Sequence, residues 1–159
     1  MKYTIREAKS ADMPQVLGLV QELAHFEKEG HAVEVTVQDL IKDGFKNEKL
    51  FHCFVAEYDG TLVGMALVYP RYSTWKGPVI HLEDLIVTDK MRGSGLGSAL
   101  LAEVIKYGHR LGVRRICWEV LDWNEGAIRF YESKGARVMR DWDVVQLDEK
   151  GIQNFVDNI

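Results

Sequence analysis

The residues with the clearest chemical meaning form a basic, glycine-rich turn, Arg92-Gly-Ser-Gly-Leu-Gly97. An apolar run typical of a strand leads into this turn, and a helix is predicted to begin at Leu96. Glycines let a backbone approach a ligand closely and adopt positive φ, while a helix N-terminus presents N–H groups and a partial positive charge. Arg92 adds a fixed charge with forked donors that suit phosphate oxygens. The turn therefore predicts a site for a pyrophosphate.

Three phosphate-binding patterns compete for this turn. A Walker-type loop ends in Gly-Lys-Ser/Thr, and no lysine follows these glycines. A dinucleotide fingerprint, Gly-x-Gly-x-x-Gly, fails at Ser98, although Glu119 closes the next strand at a suitable distance for a ribose contact. The third pattern, Arg-x-x-Gly-x-Gly, is filled by Arg92, Gly95 and Gly97. The alternative to a binding site is an ordinary glycine-rich turn that caps a helix.

Two adjacent acids, Glu83 and Asp84, interrupt the apolar strand that leads to the turn. On a regular strand they point to opposite faces, so that one can face a ligand while the other supports the core; a β-bulge would alter both directions. Charged residues are unusual inside an apolar strand, and a carboxylate can accept a proton from an ammonium group. The alternative is a solvated edge pair or a structural ion pair.

The composition narrows the class of protein. A chain of 159 residues suits one domain with a full core, here residues 1–159, and it contains neither an apolar run of membrane-spanning length nor a secretory signal. The net charge of −4, without a long basic run, argues against nucleic acid and permits a cationic ligand. Cys53 and Cys117 lie in apolar runs, which favours buried thiols in a reducing compartment. We expect a cytoplasmic protein with no metal site and no membrane contact.

The hydrophobic pattern predicts the elements that position these residues. Strands are expected at residues 3–6, 51–57, 62–69, 79–87, 115–120 and 143–147, and helices at residues 12–26, 36–44, 96–111, 124–133 and 151–158. Asp59-Gly60 between two apolar runs indicates a hairpin. The strand–helix–strand unit over residues 84–120 makes its two strands parallel. The fold class is therefore α/β, with a central mixed β-sheet flanked by helices.

Several segments around the turn resemble one known family. They are Ile5-Arg-Glu-Ala8, Glu22-Leu-Ala-His-Phe-Glu27, Leu82-Glu-Asp-Leu-Ile-Val87, Asp122-Trp-Asn-Glu-Gly-Ala-Ile-Arg-Phe-Tyr131 and Lys134-Gly-Ala136. Together with the Arg-x-x-Gly-x-Gly turn they resemble the diamine and polyamine branch (spermidine/spermine and thialysine acetyltransferase-like) of the GNAT superfamily of N-acetyltransferases. The resemblance covers residues 5–147. It implies the GNAT-like acyl-CoA N-acyltransferase fold and direct transfer of acetyl from acetyl-CoA to a primary amine.

The resemblance also implies a role for each matching residue. Acetyl-CoA would contact Leu85, Ile86 and Val87 along its pantetheine arm, Arg92, Gly93, Ser94, Gly95, Leu96, Gly97 and Ser98 at its pyrophosphate, and Asn124 and Ala127 at the next helix. Glu83 would be the base, and Tyr131 would protonate the departing thiolate; a core tyrosine with a satisfied hydroxyl is the alternative for Tyr131. The acceptor side would be shaped by Phe26, Glu27, Glu83, Asp84 and Trp142.

The acceptor that the resemblance favours is a diamine or polyamine, because an acidic pocket attracts a cationic amine. Phe26 stands where this branch often has tyrosine, so a lysine-like amino acid such as thialysine remains a second candidate acceptor. A peptide amine as acceptor and a non-catalytic acyl-CoA-binding module are two further possibilities. The resemblance also implies a homodimer, with Trp142 and the strand at 143–147 at the subunit interface.

Overall fold

The computed structural model describes residues 2–159 and divides the chain into two compact units, Met1–Glu119 and Val120–Ile159. The first unit holds strands β1 Thr4–Glu7, β2 His52–Tyr58, β3 Thr61–Ser73, β4 Gly77–Val87 and β5 Ile116–Cys117, and helices α1 Met13–Phe26, α2 Val37–Phe45 and α3 Leu96–Leu111. The second unit holds helices α4 Glu125–Ser133 and α5 Glu149–Asp157.

The five strands form one mixed sheet in the order β1-β2-β3-β4-β5. The first four pair antiparallel in sequence order, and β5 pairs parallel to β4. At the β2–β3 hairpin, Asp59 and Gly60 have φ of 49° and 72°, the left-handed conformation that matches the twist of a two-residue hairpin. The mixed sheet, the hairpin and the parallel crossover confirm the sequence predictions.

The ladder between β4 and β5 is much shorter than the prediction over residues 115–120. Only Ile80 with Ile116 and His81 with Cys117 are paired. On its other side, β4 carries a bulge: Leu82 pairs with Val68 and Asp84 with Leu67, so Glu83 is an extra residue without a partner position. A bulge bends a strand and increases its twist. The bend follows directly after the last β5 pair, which explains why the parallel ladder stops there.

Helix α1 covers one face of the sheet. Its buried residues Met13, Val16 and Leu19 belong to a core cluster that also contains Met65 of β3 and Ile86 of β4. Asp12 stands at the N-cap position, as predicted, but it makes no side-chain bond to α1. Its carboxylate instead accepts hydrogen bonds from Lys9 N at 2.7 Å and from the Arg6 guanidinium at 2.7 and 2.9 Å. This ion pair ties β1 to the start of α1.

The other helix boundaries agree with the local sequence signals. Thr36 and Asp39 form the reciprocal capping box of α2, with Asp39 N donating to Thr36 Oγ1 at 3.1 Å. Helix α3 begins after Gly95 and ends at Gly112, whose φ of 70° is a common C-terminal stop. Helix α3 buries four residues in the core, and this packing fixes the position of the glycine-rich turn at its N-terminus. They are Leu96, Leu100, Leu101 and Val104.

The second unit begins with α4, whose N-cap Asn124 accepts a hydrogen bond from Ala127 N at 3.2 Å. Helix α5 is capped by Asp148, which accepts from Gly151 N at 2.7 Å. The predicted strand at 143–147 is wrong, since residues 138–147 have no regular structure and Val145 is 92% exposed. The described part of this unit contains no strand with which residues 143–147 could pair, and a single segment cannot form a sheet by itself.

A helix that spans a lipid bilayer has to be both long and apolar. In the stretch from residue 2 to the end, none has the length and apolar character needed to cross a membrane.

Candidate active site

The glycine-rich turn has the backbone geometry of an anion cradle. Gly93 and Gly95 adopt φ of 75° and 84°, which side-chain-bearing residues rarely adopt. Ser94 closes the turn, with its N–H and its hydroxyl both donating to Met91 O, at 3.3 and 2.6 Å. Gly95 O accepts the first helical bond, from Ala99 N at 3.1 Å. The N–H groups of the first helical residues have no intrahelical partner, so this terminus can bind an anion.

Arg92 is exposed beside this turn and is held by two contacts. Its Nη1 lies 2.9 Å from Asp89 Oδ1, and its guanidinium carbon lies 4.9 Å from the centre of the Phe26 ring. Glu22 of α1 accepts a hydrogen bond from Asp89 N at 3.3 Å. These contacts bring the end of α1 against the turn. The sequence did not predict the contact between Glu22 and Asp89, because no local pattern marks a pair of residues 67 positions apart.

Residues 85–87, predicted to line the coenzyme arm, lie on the last part of β4. They pair with Ala66, Met65 and Gly64 of β3, and within the described chain β5 does not reach them. Ile86 is buried in the core, while Leu85 and Val87 are half-buried. A strand edge without a partner offers N–H and C=O groups to any amide-bearing ligand that lies along it. The pantetheine arm of coenzyme A carries such amides.

The two adjacent acids lie in different environments. Glu83, the bulged residue, has a side chain that is 51% exposed. Asp84 is half-buried, and burial together with the charges of Glu83 and Glu27 raises its pKa to about 6. Burial, followed by the charges of Asp12 and Asp84, likewise raises the pKa of the Cys53 thiol to about 12. Asp84 is therefore close to the core on the α1 side, whereas Glu83 reaches solvent.

Glu27, the residue directly after α1, is a third acid, and its charge acts on Asp84. Partial burial and the charge of Glu29 raise its pKa, and its own charge contributes to the raised pKa of Asp84. The charges of Glu27 and Glu83 thus both act on Asp84, and the roles of the three acids toward an acceptor stay predictions. Both of these charges repel an ionised Asp84, and a cation bound at Asp84 would relieve that repulsion.

Glu83 has further neighbours that the sequence did not reveal. His81 Nε2 lies 3.6 Å from Glu83 Oε2, and Tyr69 of β3 hydrogen-bonds to Glu83. Burial, with this hydrogen bond, raises the pKa of Tyr69 to about 12. The spacing of His81 and Glu83, two residues apart on one strand, was the available signal for the first contact. The contact of Tyr69 depends on the β3–β4 register, and no local sequence signal predicts it.

The remaining predicted site residues belong to the second unit. Asn124 and Ala127 are used in the cap of α4, and Tyr131 lies half-buried on the same helix with its ring 5.3 Å from that of Phe130. Trp142 is 68% exposed in the irregular segment between α4 and α5. Their roles toward acetyl-CoA and the acceptor stay predictions. Across residues 2–159 no group of three or more His, Cys, Asp or Glu side chains is placed to hold a metal ion.

Comparison with known proteins identifies relatives along most of the chain. The family described as "Acetyltransferase (GNAT) family" matches residues 17–136. Thialysine N-epsilon-acetyltransferase of Mus musculus is 38% identical over 141 residues, which are 84% of this chain and 83% of that protein. Spermidine/spermine N(1)-acetyltransferase-like protein 1 of Homo sapiens is 36% identical over 141 residues, 84% of this chain but 20% of that protein. A solved aminoglycoside N-acetyltransferase AAC(6')-Iy in complex with CoA shares the fold, with a TM-score of 0.67, 21% identity and coverage of 90% of this chain and 98% of that chain.

The raised pKa of Asp84 predicts a stability change for Asp84→Asn. The pKa is about 6 in the folded chain against 3.8 as the ordinary value, so the ionised carboxylate destabilises the fold above pH 6, and this effect disappears below about pH 4. At 1.36 kcal/mol for each pKa unit, the variant should gain about 2–3 kcal/mol in free energy of unfolding at pH 8. Urea denaturation at pH 4, 6 and 8 measures the gain. Glu48→Gln, at an exposed position between α2 and β2, is the control and should change little. An equal gain for Asp84→Asn at pH 4 and pH 8 would contradict the account.

Proposed function

Because the chain belongs to the acetyltransferase (GNAT) family and is an acetyl-CoA-dependent N-acetyltransferase that acts on an amine, we propose that its acceptor is a small cationic diamine or polyamine. The observation that carries this proposal is the half-buried carboxylate of Asp84, on which the charges of Glu83 and Glu27 act, directly before the strand edge that leads into the glycine-rich turn. Such a group favours an acceptor that carries more than one positive charge. The mixed sheet and the family match confirm the GNAT-like fold expected from the sequence.

The proposed cofactor site consists of the strand edge and the turn. Residues 85–87 would pair with the pantetheine arm, and the N–H groups that begin α3 would bind the pyrophosphate together with Arg92. The positive φ at Gly93 and Gly95 supports this fit, because it shapes the turn without placing a side chain over the helix N-terminus. Asn124 and Ala127 are proposed as further contacts of the coenzyme. Bound acetyl-CoA supplies the acetyl thioester that the amine attacks.

The proposed chemistry begins with removal of a proton from the acceptor. A primary amine with a pKa of about 10.4 is mostly protonated at neutral pH and is then not a nucleophile. Glu83 takes this proton, directly or through a water, and its exposed carboxylate supports that role. Asp84 and Glu27 hold the ammonium ends of the acceptor, with Phe26 and Trp142 as its apolar walls. Tyr131 donates a proton to the departing thiolate.

A lysine-like amino acid such as thialysine is the second candidate acceptor. Thialysine N-epsilon-acetyltransferase of Mus musculus is 38% identical to this chain and is matched over most of its own length. An amino acid brings a carboxylate as well as an amine, and that carboxylate would need a cationic partner. Arg92 over the Phe26 ring places a cation at the end of α1. The same experiment distinguishes the two acceptors.

The test is release of coenzyme A from acetyl-CoA with spermidine, spermine, putrescine, thialysine, lysine and an aminoglycoside at pH 7.5. We expect the highest kcat/KM with the polyamines. Glu83→Gln should lower kcat about 100-fold, within the range that a general base contributes, and Tyr131→Phe about 10-fold or more. Tyr107→Phe, a tyrosine stacked on His52 at a distance of 4.6 Å between ring centres, is the control and should keep full activity.

Each contrary outcome of this assay overturns a defined part of the proposal. Turnover only with thialysine or lysine would keep the chemistry and replace the polyamine as acceptor. Tight binding of coenzyme A without turnover of any amine would favour a non-catalytic acyl-CoA-binding module.

The turn itself predicts a separation between folding and coenzyme binding in Gly97→Ala. A Cβ at this position would lie 3.8 Å from Val87 Cγ2, an ordinary contact, so the fold should accept the change. The same methyl group would stand beside the N–H groups that bind the pyrophosphate, and we expect Kd for coenzyme A to rise about 10-fold or more, as for the loss of a charge-assisted hydrogen bond. Calorimetric titration and thermal unfolding measure the two effects. Gly18→Ala on α1, where a Cβ meets nothing within 4 Å, is the control; unchanged affinity in Gly97→Ala would contradict the site.

We also propose that the protein is a homodimer, with part of its interface in the second unit. Trp142, Val145 and Phe155 are exposed there, at 68%, 92% and 66%, together with Val144, Leu147 and Ile152. Apolar surface of this kind is typical of protein contacts. Light scattering should give twice the chain mass of 18.2 kDa, and Val145→Asp should give a monomer. Leu111→Asp, an exposed apolar residue of the first unit, is the control; a monomeric parent chain would contradict the proposal.

A cytoplasmic location is proposed as well. It is supported by two cysteines, Cys53 and Cys117, that are free thiols and not joined in a disulfide, as is usual in a reducing compartment. The expectation that residues 1–159 act as a single domain stays a prediction.

A further inference from the structure

A buried histidine stands next to the proposed base. His81 is 7% exposed, and a buried imidazole needs hydrogen-bond partners for its ring nitrogens. It pairs with Tyr69 of β3 on one side and with Cys117 of β5 on the other, at the last position of the parallel ladder. Its two ring nitrogens face different partners: Nδ1 lies 3.7 Å from Cys117 Sγ, and Nε2 lies 3.6 Å from Glu83 Oε2.

The contacts of Cys117 determine which nitrogen of His81 carries the proton. The sulfur lies 3.6 Å from Ile80 O, 3.8 Å from Arg71 Nη1 and 3.7 Å from His81 Nδ1. A carbonyl oxygen can only accept and a guanidinium can only donate. Ile80 O is the shortest of the three contacts and can only accept, which favours the thiol hydrogen there and leaves the sulfur to accept from Arg71. The contact with His81 is then satisfied when Nδ1–H donates to the sulfur.

This tautomer leaves the lone pair of Nε2 directed at the carboxylate of Glu83. Two acceptors 3.6 Å apart repel unless a proton lies between them. The pair is consequently arranged to hold one added proton, which would convert the imidazole to an imidazolium beside a carboxylate. The imidazolium would then make a charge-assisted contact with the carboxylate.

Tyr69 and Arg71, two neighbours of this pair, do not compete for the proton. Tyr69 donates to Glu83 and stays protonated at neutral pH, since burial and that hydrogen bond raise its pKa to about 12. Arg71 is a permanent cation that contacts Cys117, and Glu119 acts on Tyr69 through its charge alone. Asp84, the neighbour on β4, adds negative charge that attracts a proton or an ammonium group to this end of the strand.

We propose that His81 shares the proton that Glu83 removes from the ammonium group of the acceptor, and thereby acts as a positioning residue for the base. This inference rests on the proposed role of Glu83. The N–H bond of the ammonium breaks and an O–H bond forms on Glu83; the proton then passes to Nε2, so that Glu83 is again a carboxylate. After the acetyl transfer the proton returns through the exposed Glu83 to water. No other reactant is needed.

The first test is the pH dependence of His81→Gln, whose amide cannot titrate. We expect kcat/KM to fall about 10-fold at pH 7, in the lower range of general acid–base effects. The loss should shrink to less than about threefold at pH 10, where a substantial share of an amine with a pKa of about 10.4 is already deprotonated. His52→Gln is the matched control, because His52 Nε2 also lies near a glutamate, 3.5 Å from Glu7 Oε1, but on β2. A loss of equal size at both pH values would show a merely structural effect and overturn the proposal.

The second test uses the unchanged protein and needs no turnover. Long-range ¹H–¹⁵N spectra of the imidazole rings at alkaline pH, assigned by the signals missing in His81→Gln, report which nitrogen bears hydrogen. We expect the Nδ1–H form for His81. The Nε2–H form, in a protein that acetylates amines normally, would overturn the role of His81 alone. Absence of amine turnover in the wild-type chain would instead overturn the proposed function and the transfer step that depends on it.

Discussion

Strand β4 has one residue more than its antiparallel partner can match, and the extra residue is Glu83. Because a bulge leaves its residue unpaired and bends the strand, Glu83 reaches solvent directly after four buried residues, 79–82. The same bend coincides with the end of the parallel ladder at Cys117, so the last residues of β4 keep one edge without a strand. The exposed acid Glu83, the open strand edge at residues 85–87 and the glycine-rich turn therefore follow one another along a single segment of the chain, and the proposed base and cofactor site both depend on it.

The charge arrangement of the site carries a cost in stability. Asp84 is half-buried near two other carboxylates, and its pKa of about 6 means that the folded chain disfavours its ionised form. Elsewhere the fold treats buried charge differently: Asp12 is paired with Arg6 at 2.7 Å, which lowers its pKa. A half-buried acid with a raised pKa and no ion-pair partner is typical of a functional site.

The parts of the structure that depend on local signals could be predicted from the sequence. The capping residues Thr36 and Asn124, the stop at Gly112 and the Asp-Gly hairpin each act through neighbours a few positions away. The conformation of the turn after Arg92 was likewise predictable, because its glycines permit positive φ directly before a helix. Each of these features is determined within a few residues of the chain.

Features that depend on distant partners could not be predicted. The ladder of β5 ends early because of a bulge on another strand. Residues 143–147 form no strand because the described part of their unit contains no strand with which they could pair. The contact of Arg92 with Phe26 depends on how α1 ends beside the turn. The same holds for the site: His81, Cys117 and Tyr69 come together through the sheet register, which a single sequence does not reveal.

The central claim is that the unpaired edge of β4 and the turn after it hold coenzyme A. Amide hydrogen exchange of the full chain, with and without saturating coenzyme A, tests it most directly. The account predicts slower exchange at residues 85–87 and 95–98 when the coenzyme is bound, with no change in the β1–β2 ladder at the far end of the sheet. Bound coenzyme A that leaves exchange at both segments unchanged would contradict the account.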